Sequence, residues 1–257
     1  MFELTEPQKM MQDMVRHWCD SVLRPRLPEL ESGSLLPYEL MRDLVRQFGL
    51  ADMARGSLEK RVRALRERAD AGESPGAGPS ALGDVLADGD GGGDPLLFAL
   101  LAKELCRCSP GFASSWGVSL ALAGGAIIAK GTPDQIERWG IPIATLEKIG
   151  SWCLTEPNAG SDAFGSMQTT ARPDGDGYVL KGQKTFITNG PYADVFVVYA
   201  KVDRGQPREA MAVNTFVLER GMPGFSQGKP FRKMGMRDSP TGELFFDDVR
   251  VPKENLL

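Results

Sequence analysis

The chain has 257 residues, 42% of them hydrophobic and 25% charged, with 30 Lys and Arg against 34 Asp and Glu. That length accommodates one to two domains of ~150 residues, and the apolar share excludes a wholly disordered or collagen-like chain. The net charge of -4 argues against a general binder of nucleic acid or anionic membrane, four Cys do not make a disulfide scaffold, and the single His, His17, speaks against a zinc site built on two imidazoles.

No apolar run approaches the ~18 residues of a membrane span. The start, MFELTEPQKMMQD, lacks a basic stretch followed by an apolar one. The expectation is a soluble, cytoplasmic, reduced protein.

In chain order, the first half reads as helices. Thr5 and Gln8 form a capping box, and Met11, Met14, Val15, Trp18 and Val22 recur at helical spacing. Pro25 and Pro28 predict that this helix stops near Arg24. A second helix fits Pro37 to Phe48, capped by Gly49. Ser57 to Asp70 reads as a charged helix with Val62, Leu65 and Ala69 as its apolar stripe. The Gly- and Pro-rich tract that follows buries too little to offset its ordering entropy, and the stretch of about 55–94 is expected to be a flexible insertion. Gly91, Gly92 and Gly93 within it lack the preceding strand and following Lys-Ser/Thr of a phosphate loop. Pro95 to Ser109 and Phe112 to Ala129 suit buried helices, and Thr132, Pro133 and Gln135 start a short one ending at Gly140.

From Gly150 the pattern changes to short β-branched and aromatic runs. Strands are expected at Met167 to Arg172, Tyr178 to Lys181, Lys184 to Thr188, Asp194 to Val202, Ala212 to Glu219 and Glu243 to Val251. The first two flank Pro173-Asp174-Gly175-Asp176-Gly177, a hairpin connection. The expected fold class is α+β: an all-α domain over 1–148, then a small antiparallel β-barrel or sandwich over 149–257.

Two segments carry chemistry. In Trp152-Cys153-Leu154-Thr155-Glu156-Pro157-Asn158-Ala159-Gly160-Ser161-Asp162 an apolar strand enters a turn of small residues. Its amides and the hydroxyls of Thr155 and Ser161 could converge on an anionic or carbonyl-rich ligand. On local features alone it reads equally well as a turn without a ligand. In Lys184-Thr185-Phe186-Ile187-Thr188-Asn189-Gly190, Phe186 and Thr188 share a strand face. A ring and a hydroxyl on one face suit a flat heterocycle with hydrogen-bonding atoms.

In this order the segments resemble the acyl-CoA dehydrogenase family. Cys153 to Gly165 matches a family signature along its length, and KGQKTFITNG and FRKMGMRDSPTGELFFDDVRVPKENLL match the middle-domain pattern. The likeness extends, more weakly, to PGFASSWGVSLALAGGAIIAKGTPDQIERWG, and the 55–94 stretch departs from it. The resemblance implies FAD against the β domain. Trp152, Cys153, Leu154, Thr155, Gly160 and Ser161 would line the isoalloxazine and pyrophosphate side, and Phe186, Ile187 and Thr188 would pack on and hydrogen-bond the ring. Thr188 would bond flavin N5, Phe186 would replace the Trp of many relatives, and Ser161 would also contact acyl-CoA. Asp162 is expected to order the turn.

The resemblance further implies a homo-oligomeric flavoprotein oxidoreductase of fatty acid metabolism. It would take a hydride and an α proton from acyl-CoA, with electrons passing to an electron-transfer flavoprotein. In the family the catalytic Glu belongs to a C-terminal helical-bundle domain. The expectation is therefore a fragment or truncated product lacking that domain, with no catalytic residue of its own and inactive alone. The competing readings are an acyl-CoA oxidase or flavin monooxygenase on the same fold, and a non-catalytic subunit binding a thioester or a partner. His17, Cys106 and Cys108 read as structural or surface residues. Arg237, Ser239 and Thr241 fit either a turn or a ligand contact.

Overall fold

The computed structural model describes residues 3–72 and 95–257. The later part of the expected insertion, with the glycine run at 91–93, lies outside the described residues.

Helix α1 (Glu6–Trp18) starts at the expected capping box: the Gln8 amide donates to Thr5 Oγ1 (3.4 Å) and the Thr5 amide to Gln8 Oε1 (2.8 Å). The chain does not stop near Arg24. It passes through a π-helical turn, Cys19–Leu23, into α2 (Arg24–Ser32). Pro25 falls in the first turn of α2, where its missing N–H costs little, and Pro28 is carried inside the helix. Helix α3 (Tyr38–Gln47) buries Leu40, Met41, Leu44 and Val45.

Helix α4 (Leu50–Asp70) contains the charged helix expected over Ser57 to Asp70 and begins seven residues before it, so residues 55–70 do not belong to the expected flexible insertion. Its buried residues are Ala54, Leu58 and Val62, at i, i+4 and i+8, while Leu65 is half-buried and Ala69 exposed. Arg61 donates to the Ile128 carbonyl (3.0 Å), and Arg66 reaches Asp134 and Glu137 (2.8 Å each).

Helix α5 (Pro95–Cys108) packs on α1. Its Glu104 carboxylate, wholly buried, accepts from Gln12 (2.7 Å), Arg16 (2.8 Å) and Arg107 (2.7 Å). Cys106 on the same helix is exposed rather than buried.

Next comes a continuous helical stretch, Pro110–Lys130, made of α6 (Pro110–Gly117), a π-helical segment (Val118–Gly124) and α7 (Gly125–Lys130). With 21 residues it is long and apolar enough to cross a membrane by length and composition, which corrects the expectation that no run approaches that length. Phe112, Trp116, Leu120, Ala123, Ile127 and Ile128 on it are buried in the protein core. The short helix α8 (Pro133–Gln135) has the predicted capping box, and helical turns continue to α9 (Ile141–Ala144).

The strands are β1 (Gly150–Cys153), β2 (Thr170–Asp174), β3 (Gly177–Thr188), β4 (Val195–Val202), β5 (Val213–Glu219), β6 (Phe225–Gln227) and β7 (Thr241–Pro252). A short helix, α10 (Ala163–Ser166), lies between β1 and β2. The α+β class is as expected, but the sheet is mixed. β1 and β2 lie end to end, both parallel to β4, with Gly150 opposite Val195 and Thr170 opposite Lys201. The other pairs, β2–β3, β3–β7, β4–β5 and β6–β7, are antiparallel. The parallel pairs arise because long excursions, not tight turns, join β1 to β2 and β2 to its place beside β4. The sheet curls on itself: Phe196 of β4 meets Phe225 of β6 at 4.7 Å, and Phe225 stacks on Phe246 of β7 at 5.4 Å.

The two strands expected at Tyr178 to Lys181 and Lys184 to Thr188 are one strand, β3, interrupted by irregularities at Leu180/Gly182 and Lys184/Ile187. At Gly182 (φ +146°) an added Cβ would lie 2.6 Å from Oγ1 of Thr169, the residue before β2, so only glycine allows that close approach. One continuous core joins helices and sheet, from Val15 and Trp116 to Phe196 and Val251.

Candidate functional site

The turn after β1 is fastened from beneath by a buried ion pair. Lys184 Nζ, at 0% exposure on β3, donates to Glu156 Oε1 (2.8 Å) and to the Leu154 carbonyl (3.1 Å). Glu156 also accepts from the amides of Gln168 (2.6 Å) and Thr169 (3.0 Å). Burial alone would raise this carboxyl, but Lys184 and the two amides outweigh it and hold it below the ordinary carboxylate value. Glu156 is thus committed to shaping the turn. Its own amide and carbonyl pair with those of Ala159 (3.0 and 3.1 Å), closing the loop tightly.

A second tie brings the two sequence segments together: the Thr185 amide donates to the Thr155 carbonyl (2.9 Å). Beyond it the burial alternates. Thr185 and Ile187 point into the core, whereas Phe186 is 67% exposed and Thr188 half-buried. Phe186 and Thr188 therefore share the outer face, as their spacing predicts. The strand reaches this arrangement through left-handed backbone at Phe186 (φ +55°), and Asn189 (φ +63°) repeats it on the other side of Ile187 and Thr188. Such backbone costs a non-glycine residue about 1–2 kcal/mol, a strain that clusters at functional positions.

The Phe186 ring lies 5.6 Å from that of Phe231, tilted by 59°, and most of the residue remains exposed. Thr188 is anchored through its carbonyl, which accepts from Ser151 Oγ (2.6 Å). Among the described residues its own hydroxyl bonds no protein group, and the same holds for Thr155 and Ser161. An exposed ring beside free hydroxyls fits a flat heterocycle with a hydrogen-bonding edge.

The other predicted residues are placed as follows. Trp152 is half-buried, its Nε1 donating to Tyr199 Oη (3.0 Å) with the rings 5.5 Å apart. Cys153 and Ile187 are core side chains, at 0% and 2% exposure. They can meet a ligand only through their main chain, and burial pushes the Cys153 thiol up to about 12, leaving it unreactive. Leu154 and Thr155 are half-buried, and Gly160 and Ser161 lie exposed on the turn. Asp162 orders the turn, accepting from Ser166 Oγ (2.6 Å). His17 is exposed on α1. Ser239 and Thr241 are buried and Arg237 is exposed. Ser239 meets Ser115 Oγ (3.3 Å), and Thr241 receives Lys233 Nζ (2.9 Å), so these two hold structure.

Sequence reasoning missed three members of this framework. Lys184 and Asn189 lie in the second motif with no role that spacing reveals, and Asp238 lies in neither motif. Asp238 accepts from the Phe112 amide (3.0 Å) and the Ser109 hydroxyl, capping α6. The available signal was a Lys inside a β-branched strand with a Glu in the preceding turn. Two clefts of about 540 and about 600 Å³ lie elsewhere, one beside Arg138, Trp139 and Lys253, the other beside Arg172 and Arg204. Neither includes a residue of the Phe186–Thr188 face, which is singled out by its chemistry.

Comparison with known proteins finds relatives of both the helical and the sheet part of the chain. The model for the acyl-CoA dehydrogenase middle domain matches residues 151–249, and that for the N-terminal domain matches 85–147. A short-chain-specific acyl-CoA dehydrogenase of Clostridium acetobutylicum is 32% identical over 100% of this chain and 59% of its own length. Butyryl-CoA dehydrogenase of Megasphaera elsdenii superposes with a TM-score of 0.77 at 33% identity, over 100% of this chain and 60% of that one. A glutaryl-CoA dehydrogenase of Mycobacterium smegmatis in complex with FADH2 gives a TM-score of 0.74 at 27% identity, over 98% of this chain and 55% of that one. The chain thus spans about three fifths of the length of these relatives.

Proposed function

Because the chain belongs to the acyl-CoA dehydrogenase family, we propose that it builds the FAD wall and part of the thioester site of an enzyme that dehydrogenates acyl-CoA between its α and β carbons. The observation that carries this reading is the outer face of β3, where the exposed Phe186 ring and the unengaged Thr188 hydroxyl stand beside the turn that Lys184 and Glu156 fix. FAD bound there supplies the two-electron acceptor for the hydride leaving the β carbon. Phe186 offers a packing surface and Thr188 a hydrogen bond to the edge of the heterocycle. Thr155, Gly160 and Ser161 present hydroxyls and backbone on the turn, where pyrophosphate and thioester would lie.

Removal of the α proton needs a carboxylate that is free to accept it. Glu156 is occupied by Lys184 and two amides, and Glu243 accepts from Gln183 Nε2 (3.0 Å). Glu156 is thereby committed to the turn, and the 257-residue chain by itself is expected to bind without turning over. Electron-transfer flavoprotein as acceptor, a homo-oligomeric assembly and a cytoplasmic location belong to the same proposal. The four free thiols accord with a reducing compartment.

The test is to add FAD to the purified chain and follow the flavin absorbance, then to add acyl-CoA anaerobically. Saturable FAD binding with a perturbed spectrum and no reduction is expected. Absence of FAD binding would sink the reading, and rapid peroxide formation in air would redirect it to an oxidase.

A further inference from the structure

Asn189 ends β3 one residue beyond Thr188, and it is 0% exposed. Every polar group it carries is engaged, and with different parts of the molecule. Its amide donates to the Pro240 carbonyl (2.7 Å), and its carbonyl accepts from the amides of Tyr192 and Ala193 (2.8 Å each). Its Nδ2 donates to the Ser115 carbonyl on α6 (2.9 Å) and to the Gly150 carbonyl at the start of β1 (3.2 Å). Its Oδ1 accepts from Tyr38 Oη on α3 (3.4 Å). One side chain therefore joins two helices of the α region to β1 and to the end of β3.

Its backbone is equally specific. With φ +63° it adopts the left-handed conformation that Asn tolerates better than most residues. Together with Phe186 at φ +55° it brackets Ile187 and Thr188. Between these kinks, Ile187 is fixed by burial and the Thr188 carbonyl by Ser151. Both are also paired with Gly242 and Thr241 of β7, which leaves as the remaining freedom a twist of the last residue of the strand that would swing the Thr188 hydroxyl along the outer face. The Asn189 amide contacts remove that freedom.

Resting on the flavin reading above, we propose that Asn189 is a positioning residue: through Ser115, Gly150 and Tyr38 it sets where the Thr188 hydroxyl stands relative to the helical region. It touches no ligand and acts through Thr188. A displacement of α6 or α3 would be passed directly to the hydroxyl at the edge of the heterocycle.

The experiment compares the full chain with Asn189→Gly, Thr188→Val and the double variant. Glycine accepts φ +63° without strain, so Asn189→Gly removes the side-chain contacts while leaving the backbone free to keep its shape. FAD affinity is read from quenching of flavin fluorescence, and amide exchange over residues 185–190 is measured in the FAD-free protein. Asn189→Gly is expected to weaken FAD about two- to tenfold, no more than loss of the Thr188 hydroxyl itself, and to speed exchange at 187–190 about tenfold or more, as the loss of its three side-chain hydrogen bonds implies. Thr188→Val should weaken FAD about two- to tenfold in the native background and have no further effect beside Asn189→Gly, since a misplaced hydroxyl has nothing left to lose.

Additive effects of the two substitutions would make Asn189 merely structural and overturn the proposal. Unchanged exchange and affinity in Asn189→Gly would overturn it as well. If the native chain does not bind FAD, the flavin reading fails and the Thr188 coupling fails with it. Exchange in the FAD-free protein then separately shows whether Asn189 fixes the strand end.

Discussion

Replacing Lys184 by Met puts the most severe demand on this structure. The ammonium is wholly buried, and its two acceptors, Glu156 Oε1 and the Leu154 carbonyl, would lose their partner at once. Met fills most of the volume, so the cost is chiefly electrostatic: a carboxylate at 4% exposure retains two amide donors and no counter-charge. Breaking one side of a buried pair costs about 3–5 kcal/mol. For a domain of this size that is a fall in Tm of about 6–20 °C.

The charge origin can be isolated by adding Glu156→Gln to Lys184→Met. The carboxamide still offers an oxygen to one amide but leaves no buried charge, so the double variant should be less destabilised than the sum of the singles by about 1–3 kcal/mol. The pH profile carries the same sign. Because the folded Glu156 carboxyl lies below its ordinary value, its contribution is present above about pH 4 and fades as pH falls through the lowered folded value. Urea unfolding from pH 3 to pH 7 measures both. A loss under about 1 kcal/mol for Lys184→Met at pH 7, or strict additivity in the double variant, would refute the claim that this pair fixes the turn.

Thr188→Val removes the free hydroxyl at the strand edge, and loss of one hydrogen bond, about 0.5–1.5 kcal/mol, should weaken FAD about two- to tenfold and shift its absorbance; an unchanged spectrum and affinity would remove Thr188 from its role. Glu104, wholly buried and held at about 2 by Arg16, Gln12 and Arg107, stabilises the fold above about pH 4 and loses that contribution between about pH 4 and pH 2. Glu104→Gln should accordingly flatten the acid limb of a thermal-stability profile. Gly111→Ala would place a Cβ 1.8 Å from Asp238 Oδ1, displacing the carboxylate that shares the Phe112 amide with the Ser109 N-cap of α6. With Ser109 still capping, the loss should lie toward the lower end of about 0.5–2 kcal/mol in chemical denaturation, and an unaltered midpoint would show that Asp238 does not hold the helix.

Much of this was legible where chemistry is local. The Thr5/Gln8 and Thr132/Gln135 capping boxes depend on residues three apart, and both formed. The side-by-side placement of Phe186 and Thr188 follows from the two-residue repeat of a strand. The turn and strand motifs likewise pointed to the family before any coordinates.

What the sequence could not decide depends on partners distant along the chain. Pro25 looked like a helix stop, yet the π-helical turn before it places it where a missing N–H does no harm. Residues 57–70 read as a charged helix opening an insertion, but Leu58 and Val62 reach the core, and Arg61 and Arg66 bind groups 67 to 71 residues away. Pairing of β1 and β2 with β4 rests on contacts that no local alternation encodes.

By itself, then, the sequence determined the helical and sheet halves, the two motif segments and the face that Phe186 and Thr188 share, because each follows from backbone periodicity and near-neighbour hydrogen bonds. Only the tertiary structure decided that Lys184 neutralises Glu156 and that Asn189 ties the strand end to two helices. Those roles depend on burial, which makes an unpaired charge or amide costly, and on contacts spanning 28 to 151 residues.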